Sequence, residues 1–131
     1  MSKAYALTRT NVAEIVLPTS AKVHVKAKTN SKNTQRIALK DKSGDVDLLF
    51  SGTGEGNSII GDATFTGDSN SVLNATFEYS EGSGVFKPAK LNTGGPYEIG
   101  QYNLMIVVAE NGDDSDYNDS ILEFSWYTPK D

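Results

Sequence analysis

The sequence has no cysteine, one histidine, one tryptophan and four prolines. Without cysteine there is no disulfide, no thiolate zinc site and no cysteine nucleophile. With His24 as the single imidazole, a soft-ligand transition metal is not expected. No apolar run approaches the roughly 18 residues of a membrane-spanning helix. No window repeats its apolar residues with a helical period. No Gly-x-Ser-x-Gly elbow is present. The glycine-rich stretch at 52–56 lacks the Lys-Ser/Thr of a phosphate loop. Basic residues are outnumbered, 12 against 17 acids, for a net charge of −5. They do not interleave with aromatics, so nucleic acid is a poor partner. Arg9 interrupts the N-terminal residues before an apolar h-region forms. Synthesis in the cytoplasm without a Sec signal peptide is therefore expected, and export to the surface or medium by another route stays open.

What remains is short strand signals in a single domain spanning 1–131. Val23-His24-Val25-Lys26-Ala27-Lys28 alternates apolar and polar residues. Residues 35–40 and 46–50 form two more runs. Leu73, Ala75, Phe77 and Tyr79 share one face of another. Residues 103–109 are almost continuously apolar, as for a central strand covered on both faces. Leu122, Phe124 and Trp126 alternate with Glu123, Ser125 and Tyr127 in the last run. Turn clusters punctuate the chain at 42–44, 52–56, 66–70, 81–84, 94–96 and 111–112. This pattern predicts an all-β antiparallel sandwich or barrel. Residues 1–13 read as an extension, an added edge strand before the first core strand. Trp126 belongs to the core, and His24 faces solvent or a neighbouring strand.

Charge is unevenly placed. Residues 1–40 carry eight bases and one acid, and residues 41–131 carry four bases and sixteen acids. Five acids (Glu110, Asp113, Asp114, Asp116 and Asp119) lie in residues 110–119 without a base. Outside that decade acids and bases balance, twelve to twelve. Carboxylates this dense repel unless a cation neutralises them. Calcium suits them, because it takes six to eight oxygen ligands and accepts amide oxygens beside carboxylates. Asp114-x-Asp116-x-Asn118 spaces three ligands regularly, with Glu110 and Asp119 available to close the cage. An EF-hand is excluded: the sixth position from Asp114 is Asp119 rather than Gly, and the twelfth is Ser125 rather than Glu. A solvated acidic loop is the alternative.

At these residues the chain resembles the small calcium-dependent bacterial lectins of the LecB type, which bind fucose and mannose. Their acidic loop, close to Glu-Asp-Gly-x-Asp-x-Asp-Tyr-Asn-Asp, stands here as Glu110-Asn111-Gly112-Asp113-Asp114-Ser115-Asp116-Tyr117-Asn118-Asp119. A strand ending in Trp126 follows it. Upstream, Leu17-Pro18 precedes a strand that ends at Asn30, followed by Ser31-Lys32-Asn33. The resemblance spans about residues 14–127. It implies a sandwich of about nine strands holding two calcium ions per subunit. Glu110, Asp114, Asp116 and Asp119 would hold one ion, and Asn30, Asp116, Asn118 and Asp119 the other. A mannose- or fucose-type glycan would then bind both ions directly, with Ser31, Lys32 and Asn33 as the specificity loop. No enzymatic activity is implied. A homodimer or homotetramer is, because the family's C-terminal carboxylate completes a calcium site in the partner.

Three departures stand out. Asn111 replaces the family's usual Asp, a sugar hydrogen-bond acceptor. The C-terminus runs about two residues longer, so either Asp131 still reaches across to the partner or the dimer differs and that ligand is lost. Lys32 sets a long cation in the specificity loop. Two further readings compete with sugar binding: a calcium-stabilised structural or adhesion domain, and a glycoside hydrolase using two carboxylates. The hydrolase reading is the weaker, because carboxylates crowded on one loop suit a metal better than the two sides of a scissile bond.

Overall fold

The computed structural model describes residues 4–41, 44, 46–67, 72–82, 84–111 and 119–128. Nine strands carry them: β1 (Tyr5–Arg9), β2 (Val12–Val16), β3 (Lys22–Asp41), β4 (Asp47–Thr66), β5 (Leu73–Ser80), β6 (Lys87–Pro88), β7 (Lys90–Ile99), β8 (Tyr102–Glu110) and β9 (Ser120–Tyr127). Every pairing is antiparallel. The order is β1-β2-β5-β3-β9-β8-β7, with β4 also on β3 and β6 on β5. The chain is thus the expected all-β antiparallel sandwich. No helix among the described residues is long and apolar enough to cross a membrane.

The long strand β3 joins the β1-β2-β5 side of the sheet to the β9-β8-β7 side. Its N-terminal part pairs with β9, from His24↔Ser125 to Thr29↔Ser120. Its C-terminal part pairs with β5, from Thr34↔Ser80 to Asp41↔Leu73. The change of partner falls between Thr29 and Thr34, within the segment expected to bear the specificity loop. β4 follows β3 along its other edge, with register breaks at Thr29/Ser31 and Ser31/Gln35.

Strand periodicity places the core. Val23, Val25, Ala27, Ile37 and Leu39 of β3 point inward with Leu73, Ala75 and Phe77 of β5. Met105, Val107 and Ala109 of β8 and Leu122, Phe124 and Trp126 of β9 meet them there. Burying such side chains gives on the order of 1.5–3 kcal/mol each, which is why a strict period of two suffices to choose the inner face.

Four sequence expectations are corrected. The runs at 23–28 and 35–40 are one strand, because β4 stays paired through the irregularity between them. The glycine-rich stretch at 52–56 is not a turn but lies inside β4. Gly56 and Asn57, at φ 97° and 61°, supply left-handed backbone where β4 itself bulges, advancing from Gly54 to Ser58 while β3 runs from Ser31 back to Thr29. Gly94-Gly95-Pro96 lies inside β7, where the register shifts between Gly94 and Tyr97. β8 is covered on one face only: its even-numbered residues Leu104, Ile106 and Val108 are half-buried. The N-terminal extension does form an added edge strand, β1 against β2.

Candidate calcium and ligand site

The site is assembled where the β3 bulge meets the ends of β8 and β9. Ala109 and Ser120 are the last paired residues of that hairpin. One residue further, Glu110 and Asp119 begin the connection between the strands. The Asp119 amide donates to the Ala109 carbonyl at 3.1 Å. The Asp119 carbonyl accepts from the Thr29 hydroxyl at 2.7 Å and from the Asn30 amide at 3.2 Å. Asp119 Oδ2 accepts from the Asn111 backbone amide at 2.8 Å. Two segments, β3 at Thr29 and Asn30 and the end of β8 at Ala109 and Asn111, therefore converge on Asp119.

The specificity-loop residues lie beside it. The Ser31 hydroxyl accepts from the Asn111 side-chain amide at 3.1 Å and from the Asn33 backbone amide at 3.0 Å. Thr53 of β4 donates its hydroxyl to the carbonyls of Ser31 and Lys32, at 3.1 and 2.8 Å. Lys32 itself is exposed. Asn30 is braced from β4: its Oδ1 accepts the backbone amide of Asn57, and its Nδ2 reaches Asn57 Oδ1 at 3.4 Å. This brace fixes the orientation of the Asn30 side chain against β4.

The structure thus brings together Asn30, Ser31, Asn33, Glu110, Asn111 and Asp119, with Lys32 at the rim. Asp114, Asp116, Asn118 and Asp131, expected as ligands, lie outside the described residues, as does Tyr117. Among the described residues no three Asp, Glu or His side chains cluster in a metal-holding arrangement.

Two features of the described residues test whether the site suits a cation and a hydroxyl-rich ligand. Glu110 is 2% exposed, and an ionised carboxylate is held that deep only when charge or hydrogen bonds compensate its lost hydration. Asn111 is 5% exposed, and its Oδ1 is a buried acceptor with no donor among the described residues. An orphaned buried acceptor on the residue that follows a buried carboxylate suits a hard cation or a ligand O–H. The donor set is all oxygen, as calcium requires. A groove of about 450 Å³ lies elsewhere, on the outer face of β3, β4, β8 and β9. None of the expected site residues lines it. His24 does, in contact with Thr64 at 3.1 Å.

Sequence reasoning missed Thr29, Gln35, Asn57 and Ser120. Thr29, Gln35 and Ser120 are polar and at most 1% exposed. Thr29 and Gln35 fall on the inward parity of β3, and that parity is the signal that could have found them.

Residues 15–128 match the family described as Fucose-binding lectin II (PA-IIL). Among solved structures, the high-affinity mannose-binding lectin of Ralstonia solanacearum shares 25% identity, with a TM-score of 0.70 over 93% of this chain and 100% of that one. The Chromobacterium violaceum lectin CV2L, solved with alpha-methyl-fucoside, shares 25% identity, with a TM-score of 0.69 over the same shares of the two chains. The C-terminal domain of the BC2L-C lectin from Burkholderia cenocepacia, at 22% identity and a TM-score of 0.66, covers 92% of this chain and 98% of its own, and shows the shared fold. No curated protein matches the chain significantly.

Proposed function

The chain belongs to the fucose-binding lectin II family, a family of non-enzymatic carbohydrate-binding proteins, and on that premise we propose that it binds a mannose- or fucose-type monosaccharide through two calcium ions. Asn30, Glu110, Asp114, Asp116, Asn118 and Asp119 supply the ligands, with Asp131 completing a partner's site. The ions offer the sugar's vicinal hydroxyls a place to replace calcium-bound water. The protein's own groups do the rest. Glu110 and Asp119 accept hydroxyl protons in charge-assisted hydrogen bonds. Asn111 Oδ1 accepts another. The Ser31 hydroxyl already accepts from two amides, so its own proton points the Ser31 contact outward as a donor.

The orphaned Oδ1 of Asn111 carries this reading: a buried acceptor beside buried Glu110 is costly in an empty loop and useful in a ligand site. Calorimetry with methyl mannoside and methyl fucoside, in calcium and then in chelator, tests it. Heat in calcium that vanishes with chelator is expected. Silence from both sugars in excess calcium would leave only a calcium-stabilised structural domain, the reading favoured by neutral Asn111.

We also propose that the protein is at least a homodimer and reaches glycans outside the cell. The outer face of β7, β8 and β9 supports the first point. Tyr97, Ile99 and Tyr127 are exposed there, next to half-buried Leu104, Ile106 and Val108. An apolar sheet face of this kind is a common site of self-association. Light scattering of the calcium-loaded protein checks it, and a monomeric mass would count against it.

A further inference from the structure

Buried polar residues concentrate at one point of β3. Its inward line reads Val23, Val25 and Ala27, then Thr29, Ser31 and Gln35, then Ile37 and Leu39, all buried. Gln35 is fully buried. A primary amide in that position is disfavoured against an aliphatic side chain unless both its ends are hydrogen-bonded. Both are. Gln35 Nε2 donates to the Asn33 carbonyl at 3.0 Å. Gln35 Oε1 accepts the Ser120 hydroxyl at 2.7 Å. The amide cannot face the other way, because the Asn33 carbonyl only accepts.

The two partners belong to opposite walls of the site. Asn33 is in the loop expected to read the sugar. Ser120 follows Asp119, whose carbonyl holds Thr29 and Asn30. Between Ser31 and Gln35 the β3 chain advances four residues while β4 advances two, from Gly54 to Gly52. Two residues are thus looped out of register, and no ladder pairing determines their height. The Gln35 amide fills that role from inside the sandwich.

We propose that Gln35 is a positioning residue that sets residues 31–33 against Asp119 and Ser120, and thereby tunes which sugar the site prefers. It touches neither ion nor sugar, and its effect on preference rests on the sugar-binding reading above. Gln35→Met keeps the length and volume of the side chain and removes both hydrogen bonds. Ser120→Ala removes a single oxygen, so it carries the test should the first variant fold poorly.

Two readouts are taken. In calcium-free protein, amide hydrogen exchange at residues 31–33 should accelerate in both variants by about tenfold or more, while Val23, Val25 and Phe124 stay protected. In calcium, affinity for the ion should stay within about twofold, while the ratio of mannoside to fucoside affinity shifts by about threefold or more. The double variant should add little to Gln35→Met, because both changes break one chain of hydrogen bonds. Unchanged exchange at residues 31–33 would overturn the proposal whether or not sugar binds. Faster exchange with equal losses for both sugars would overturn its claim on preference. A wild-type protein silent to both sugars would instead overturn the sugar-binding reading and, with it, the claim on preference, while the exchange data still decide the positioning role.

Discussion

The side-chain amide of Asn111 donates to the hydroxyl of Ser31 at 3.1 Å, linking the start of the β8–β9 connection to the bulge of β3. The oxygen of the same amide is a buried acceptor with no donor among the described residues. The departure of this chain from the family's usual Asp exchanges a charged acceptor for a neutral one.

Replacing Asn111 by Ala should remove that acceptor and leave Ser31 short of one donor. A loss of roughly 1–2 kcal/mol in sugar affinity, or about five- to thirtyfold, is expected by calorimetry. Asn111→Asp adds a charge beside Glu110 and should raise calcium affinity. If neither variant changes either affinity, Asn111 is only a packing residue.

Calcium should stabilise the fold. An ion at about 100 times its dissociation constant adds about 2.7 kcal/mol to the folded state, which is on the order of ten degrees in Tm for a chain of this size. Chelator should reverse the shift. Magnesium should not reproduce it, because it demands a smaller, stricter oxygen cage. Differential scanning calorimetry decides.

Phe124 is fully buried, and its residue pairs with Val25 and Met105 on the two neighbouring strands. Phe124→Ala leaves a cavity where the layers meet and should cost about 3–5 kcal/mol. Denaturant unfolding measures it, and a loss under about 1 kcal/mol would contradict that packing.

The charge of −5 equals the five acids of residues 110–119. Two bound calcium ions would nearly cancel it. Electrophoretic mobility toward the anode should fall sharply when calcium is added, and unchanged mobility would mean the decade is a solvated loop.

Much of the fold was legible in the residues themselves. The period of two in Leu122, Phe124 and Trp126 named the inner face of β9, because only one face of a strand can reach the core. Asn30-Ser31 and the described ends of the acidic decade, Glu110 and Asp119, lie far apart in the chain, yet Asn30 and Asp119 are hydrogen-bonded in the structure. The length of β3 and β4 was not legible. Glycines and a φ-positive Asn57 read locally as a turn, whereas pairing with β3 holds them in a strand. Gln35, despite its inward parity, was missed for a different reason. Glutamine is usually exposed, and its partner Ser120 lies 85 residues away, brought near only by the sheet order.

The central claim, a sugar held through protein-bound calcium, is tested most directly by titrating calcium with and without saturating methyl mannoside or methyl fucoside. Sites that share ions must be reciprocally coupled. At least one sugar should tighten calcium binding by the same factor that calcium tightens the sugar. Calcium affinity identical in the presence and absence of both sugars would contradict the account.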